Sequence, residues 1–85
     1  MYDYNVEKQK LFTDEGRRLF LKIRDHVHKV LETSGAITMV KAMAGTGDSW
    51  QQMACVDRMV ELEEIKEVKY GDVAGQYRIF IPRIG

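Results

Sequence analysis

The sequence predicts a small α+β domain: three helices, in the order long, short and medium, followed by a two-stranded β-hairpin. Three observations predict it. Leu19, Phe20, Ile23, Val27, Val30 and Leu31 recur three and four residues apart, the period of one apolar helix face. Ser49-Trp50-Gln51-Gln52 has the spacing of a capping box and opens a further helical stretch. Ile65–Tyr70 and Gln76–Ile81 are rich in β-branched and aromatic residues and flank Gly71-Asp72-Val73-Ala74-Gly75, a loop with a glycine at each end.

Taken in order, residues 1–12 carry Tyr2, Tyr4, Val6, Leu11 and Phe12 without a clear period. They are expected to form an N-terminal arm, frayed or strapped across a partner subunit. Residues 13–85 form the domain. The first helix is expected from Asp14 to Thr33: Thr13 is a good N-cap, Asp14 and Glu15 suit the helix N-terminus, and Gly35 supplies a left-handed stop. Ala36 and Ile37 read as a brief extended link. Thr38 can cap a short helix from Met39 to Ala44, with Met39, Val40 and Met43 as its buried candidates, and Gly45-Thr46-Gly47 breaks it.

The third helix is expected from Trp50 to Glu63, capped by Ser49 or, alternatively, Asp48. Cys55, Val56, Met59, Val60 and Leu62 would face inward, and Gln51, Ala54, Asp57, Arg58 and Glu61 outward. In the hairpin, Tyr77, Ile79 and Ile81 share one face while Gln76, Arg78 and Phe80 take the other, and Pro82 ends the strand. The expected core is Leu19, Ile23, Val27, Val30, Val40, Met43, Val56, Met59, Ile65 and Ile79.

Composition narrows the class. At 85 residues, 45% hydrophobic and 31% charged, the chain suits one globular domain and not a disordered one. The single cysteine, Cys55, cannot make an internal disulfide, and residues 1–12 lack the apolar stretch of an export signal. No apolar run approaches the roughly 20 residues that span a bilayer. The expectation is a soluble, cytoplasmic protein without membrane contact. Thirteen basic and 13 acidic residues give zero formal net charge, whereas nucleic-acid binders usually show a basic surplus or stripe.

With these elements placed, residues 13–82 resemble the winged helix-turn-helix superfamily of bacterial, archaeal and phage regulators. Ile37-Thr38 to Met43-Ala44, then Gly47-Asp48-Ser49, is similar to its second helix and tight turn. Met53 to Val68 is similar to its recognition helix and the entry into the wing. In that pattern a leucine usually stands at Met59, a glycine at Glu63, and a leucine or isoleucine at Ile65. The departure at Glu63 implies a helix that runs longer before it turns into the strand.

The resemblance implies a DNA-binding transcriptional regulator, with the N-terminal half of the third helix in the major groove of double-stranded DNA. That half would present Ser49, Trp50, Gln51, Ala54, Asp57 and Arg58. Gln51 can pair bidentately with adenine, and Arg58 with guanine or a phosphate. Lys41, Lys66, Lys69 and Arg78 could reach phosphates. Against this stand the acidic wing tip at Asp72, the acidic Asp57, and the plainer reading of a solvated helix face. Trp50 is either an anchor beneath the turn or, if exposed, a hot spot for a protein partner or a stacking surface for a base. The alternative function is therefore a protein-binding winged-helix module, an adaptor or inhibitor, that uses Trp50 and the third-helix face.

Other chemistries find no footing. His26 and His28 are two apart on a helix and do not make the i, i+4 metal pair. Ala44-Gly45-Thr46-Gly47-Asp48-Ser49 lacks the lysine and spacing of a phosphate loop. Cys55 reads as a small buried hydrophobe. No nucleophile, base and orienting acid come together, so neither an enzyme nor a cofactor is expected. The small core and the apolar Tyr2, Tyr4, Leu11 and Phe12 predict a homodimer, with the arm and first helix at its interface.

Overall fold

A computed structural model gives the fold, and it describes residues 1–43, 48–68 and 77–83. The long helix α2 (Asp14–Ser34) organises it. Thr13 is extended and its hydroxyl accepts the Gly16 N–H at 3.0 Å, which satisfies one free donor of the first turn. At the other end Gly35 is left-handed, φ 74°, and its N–H closes onto the Leu31 carbonyl at 3.0 Å. Ile23, Val27 and Leu31, four residues apart, are the buried stripe of α2. Leu19, Phe20 and Val30 pack at its margins, half-buried.

The reversal at Gly35 lays the next residues against the end of the chain. Ile37–Thr38 forms strand β1, where only an extended link was expected. It pairs antiparallel with β3 (Ile79–Pro82), Ile37 opposite Phe80 and Thr38 opposite Ile79. β3 also pairs antiparallel with β2 (Ile65–Val68), so the sheet has three strands in the order β1-β3-β2. The domain is therefore α+β, mostly helical with one small antiparallel sheet, and the expected two-stranded hairpin gains a third strand. The segment joining β2 to β3, with Lys69 and the tip Gly71–Gly75, lies outside the described residues, as does the turn at Gly45-Thr46-Gly47.

The sheet's inward side differs from the sequence reading. Phe80 is fully buried, while Ile79 sits half-buried on the outer side with Val68. Strand alternation forces the choice: Phe80 lies between Ile37 and Glu67 and points into the core, so its neighbours point away. A second correction falls on α3 (Met39–Ala42), a single turn capped by the Thr38 hydroxyl. Its inward residues are Met39 and Ala42, three apart, which leaves Val40 56% exposed and outside the core.

Helix α4 (Ser49–Glu61) lies across α2 and supplies Ala54, Cys55, Val56 and Met59 to the core, all fully buried. Asp48 is its N-cap, accepting the Trp50 N–H at 2.9 Å, so Ser49 is the first helical residue. The helix does not run on past Glu63. It stops at Glu61 in a Schellman motif: the Glu63 N–H meets the Val60 carbonyl and the Glu64 N–H the Met59 carbonyl, each at 3.0 Å. Glu63 carries the left-handed conformation, φ 62°, and Leu62, expected inside, is 44% exposed beyond the end of the helix.

Residues 1–12 are not a loose arm. Asp3 caps a one-turn helix, α1 (Tyr4–Glu7), by accepting the Asn5 N–H at 2.9 Å, and a 3-10 turn (Lys8–Phe12) follows. Leu11 is buried and Tyr2 and Tyr4 pack against the core of the same chain. The apolar residues that suggested a partner subunit are thus used within one chain, apart from the exposed Val6 and Phe12. Gly16 makes this possible. A Cβ there would overlap the Lys10 carbonyl oxygen, so only glycine lets the 3-10 turn lie against the start of α2.

Candidate functional site

Of the residues expected to meet DNA, Ser49, Trp50, Gln51, Ala54 and Arg58 lie on α4, whose outward side divides in two. Its first turn is open: Ser49 is exposed, Trp50 is 41% exposed and Gln51 half-exposed. Trp50 is therefore not an anchor beneath the turn. The remainder is covered in part: Asp57 is half-buried and Glu61 stays exposed. Ala54, expected to face outward, has no exposed surface. A helix of this pitch places Asp57 and Glu61 on the side of Ala54, three and seven residues on. Both carboxylates are occupied by the N-terminal segment.

Tyr2 donates its hydroxyl to Asp57 Oδ2 at 2.6 Å. Tyr4 donates to Glu61 Oε1 at 2.8 Å, and the Lys8 ammonium stands 2.8 Å from the same oxygen. Lys8 also lies 5.7 Å from the centre of the Tyr4 ring, a cation–π distance. The hydrogen bonds from Lys8, Tyr4 and Arg58 hold the Glu61 carboxyl down to about 2. Burial, and then the carboxylate each faces, pushes the Tyr2 and Tyr4 phenols well above their ordinary value.

Two of the expected DNA-contacting arginines serve the same side of the fold. Arg78 Nη2 donates to Asp57 Oδ1 and to Glu67 Oε1, each at 2.8 Å, and the guanidinium lies 5.3 Å from the Phe80 ring centre. From the residue ahead of β3 it ties α4 to β2, with its side chain 21% exposed. The Glu67 hydrogen bond raises its pKa above the ordinary arginine value, and the Asp57 bond adds to this against the opposing effect of burial. Arg58 Nη1 donates to Glu61 at 2.6 Å and stacks at 5.5 Å over the Phe12 ring. Lys41 and Lys66 are exposed, at the end of α3 and on the outer side of the sheet. Lys69 lies outside the described residues.

A further cluster secures the turn after α4. Glu64 accepts from Arg24 Nε at 2.8 Å and meets His28 Nε2 at 3.0 Å, joining that turn to α2. Burial works to raise the Glu64 pKa, but the His28 and Arg24 contacts together outweigh it and leave the carboxyl below its ordinary value. Cys55 is no nucleophile, since burial pushes its thiol up to about 12.

The sequence reading gives Tyr2 and Tyr4 to an arm or a dimer interface, and it passes over Lys8 and Gly16. A signal for the role of Tyr2, Tyr4 and Lys8 exists in the chain. Asp57 and Glu61 are like charges four apart on one helix, an unfavourable pair unless something donates to both. Compared with protein-family models, curated proteins and solved structures, the chain matches none.

Proposed function

We propose that this chain is a winged-helix-type interaction module whose partner is a protein, docked at the open first turn of α4 around Trp50. The observation that carries this is the state of the α4 outward side. A helix that reads a major groove must bring its outward side within hydrogen-bonding distance of base edges, between two rows of phosphates. Here that side holds Asp57 and Glu61, is roofed by residues 2–8, and has Ala54 fully covered. Carboxylates there repel phosphates, and Arg58 and Arg78 are committed to carboxylates of this chain. Trp50, exposed beside a covered surface, has the chemistry of an interface anchor.

A second reading keeps duplex DNA as the partner. The order of elements favours it: α2, α3 and α4 followed by two antiparallel strands, the layout on which the winged-helix resemblance rests. In that reading Ser49, Trp50 and Gln51 contact bases, while Lys41, Lys66 and Lys69 reach phosphates.

A partner-capture comparison tests the proposal. A protein partner retained by the wild type should be lost on Trp50→Ala and kept by Lys29→Ala, a change on the opposite, α2 side of the sequence pattern. Capture that is insensitive to Trp50, in a folded variant, contradicts it.

A further inference from the structure

We infer that residues 1–8 are an internal stand-in for the partner: a strap that covers α4 and gives way to a segment of the same chemistry, aromatic hydroxyls and a lysine on a short helix. This rests on the protein-binding reading and names what the covered part of α4 accepts. The strap is fastened and anchored by different means. Its anchor is apolar and tight, at Leu11 and against Gly16, where backbone meets backbone. Its outer part is held by three polar groups: Tyr2 on Asp57, and Tyr4 and Lys8 on Glu61.

Glu61 and Lys8 are partly solvent-exposed, so their ion pair is of the kind that contributes little and exchanges readily with water or another donor. Tyr2 and Tyr4 add partly buried packing against the core, and Glu7 between them and Leu11 is buried and paired with Lys10. Lifting residues 1–8 gives up these contacts but leaves the anchor at Leu11 and Gly16 in place. It uncovers the Asp57 and Glu61 oxygens that accept from Tyr2, Tyr4 and Lys8, while Arg78 and Arg58 stay paired to the same two carboxylates. Acceptors in that spacing suit a segment that again brings phenol hydroxyls and an ammonium, as residues 2, 4 and 8 do. Trp50 lies at the open end of that surface, on the same helix, so an incoming segment contacts Trp50 first and the strap's place second.

The chain's own first residues are the defined probe. A fluorescently labelled peptide of residues 1–12 is titrated, by anisotropy, into the full chain and into the full-length variant Tyr2→Phe/Tyr4→Phe/Lys8→Met. The phenylalanines and methionine keep the packing, and circular dichroism and the melting temperature check that the variant is folded. A strap that no longer fastens raises the fraction of chains able to bind, and with it the apparent affinity, by about tenfold. Adding Asp57→Asn and Glu61→Gln to that variant should abolish the gain. Equal binding to wild type and variant, or binding indifferent to the two carboxylates, overturns the inference. Mixed-sequence duplex DNA run in the same assay separates the two proposals. If the loosened variant binds duplex, the protein-binding reading itself fails; if it binds neither peptide nor duplex, only the strap inference does.

Discussion

The two parts of α4's outward side differ in what surrounds them and in what their residues can do. The first turn carries Ser49, Trp50 and Gln51 toward solvent, on a helix capped by Asp48. The turns that follow carry a buried Ala54, and Asp57 and Glu61 that accept from the N-terminal segment and, at Asp57, from Arg78. Residues spaced for one exposed helix face thus range from exposed Ser49, Trp50 and Glu61, through half-buried Gln51 and Asp57, to fully buried Ala54. The lesson is that an outward position on a helix is defined by the whole chain and not by the helix's own period. Asp57 and Glu61 look solvated from their own helix, yet they are the acceptors that seat another element.

The largest effect expected to break this arrangement is Gly16→Ala. Alanine favours a helix over glycine by about 1 kcal/mol, so without the N-terminal segment the change would stabilise. With the Lys10 carbonyl in the way, the new methyl must displace backbone, and a net loss of about 3 kcal/mol is expected. Urea denaturation decides the sign. Next comes Arg78→Ala, which leaves Asp57 and Glu67 facing each other across a partly buried gap. A loss of about 1–2 kcal/mol is expected, between the values for exposed and buried ion pairs. A double-mutant cycle with Asp57→Asn should return a coupling well above that of an exposed pair, and a cycle near zero would place Arg78 outside the seat.

Much of the fold was legible in the sequence because most of it follows local rules. Thr13 and Gly35 bound α2, the stripe Ile23, Val27 and Leu31 is at helical spacing, and Ile65 is a core residue of its strand. What escaped depends on residues distant in sequence. Ile37 becomes a strand only because Phe80 lies opposite it. The period of the N-terminal segment is hidden because the buried position between Tyr4 and Leu11 is Glu7, a carboxylate 4% exposed and paired with Lys10 at 3.0 Å. Val40 misled because α3 is one turn long, too short for an apolar residue to reveal which side it faces. Of the candidate site, Gln51 is expected outward and is half-exposed, while the sequence leaves Trp50 between a buried anchor and an exposed contact and it is 41% exposed. Ala54 is expected outward and is not: it belongs to the buried core, a placement its own helix's period does not reveal.

A smaller change sharpens the end of the covered half. Glu63 holds the left-handed position where the winged-helix pattern usually has glycine, and an L-residue there is strained by about 1–2 kcal/mol. Glycine loses part of that advantage to its greater freedom when unfolded, so Glu63→Gly should stabilise by about 0.5–1 kcal/mol in thermal denaturation. No gain would mean that the turn after α4 is not left-handed in solution.

The smallest effect on global stability, but the most local, concerns pH. The Glu61 carboxyl is lowered from about 4.5 to about 2, first by Lys8 and then by Tyr4 and Arg58. A depressed carboxyl stabilises the folded form above its unfolded pKa and loses that contribution as pH falls toward its folded pKa. The fastening of residues 1–8 should therefore be complete above about pH 5 and weaken from there down to about pH 2. Amide protection over residues 2–8, taken relative to the intrinsic exchange rate at each pH, should fall across that window in the wild type. In Glu61→Gln it should be low already at neutral pH and less responsive to acid.

The claim that α4 serves a protein and not DNA is tested most directly by a fluorescence-anisotropy titration of mixed-sequence duplex DNA with the full chain. It should be run at about 50 mM salt, where attraction to phosphates is least screened. No binding is expected there, and none with Trp50→Ala or Gln51→Ala. Saturable binding that weakens steeply with added salt and loses sequence discrimination on Gln51→Ala would contradict it, and would make the first turn of α4 a DNA reader.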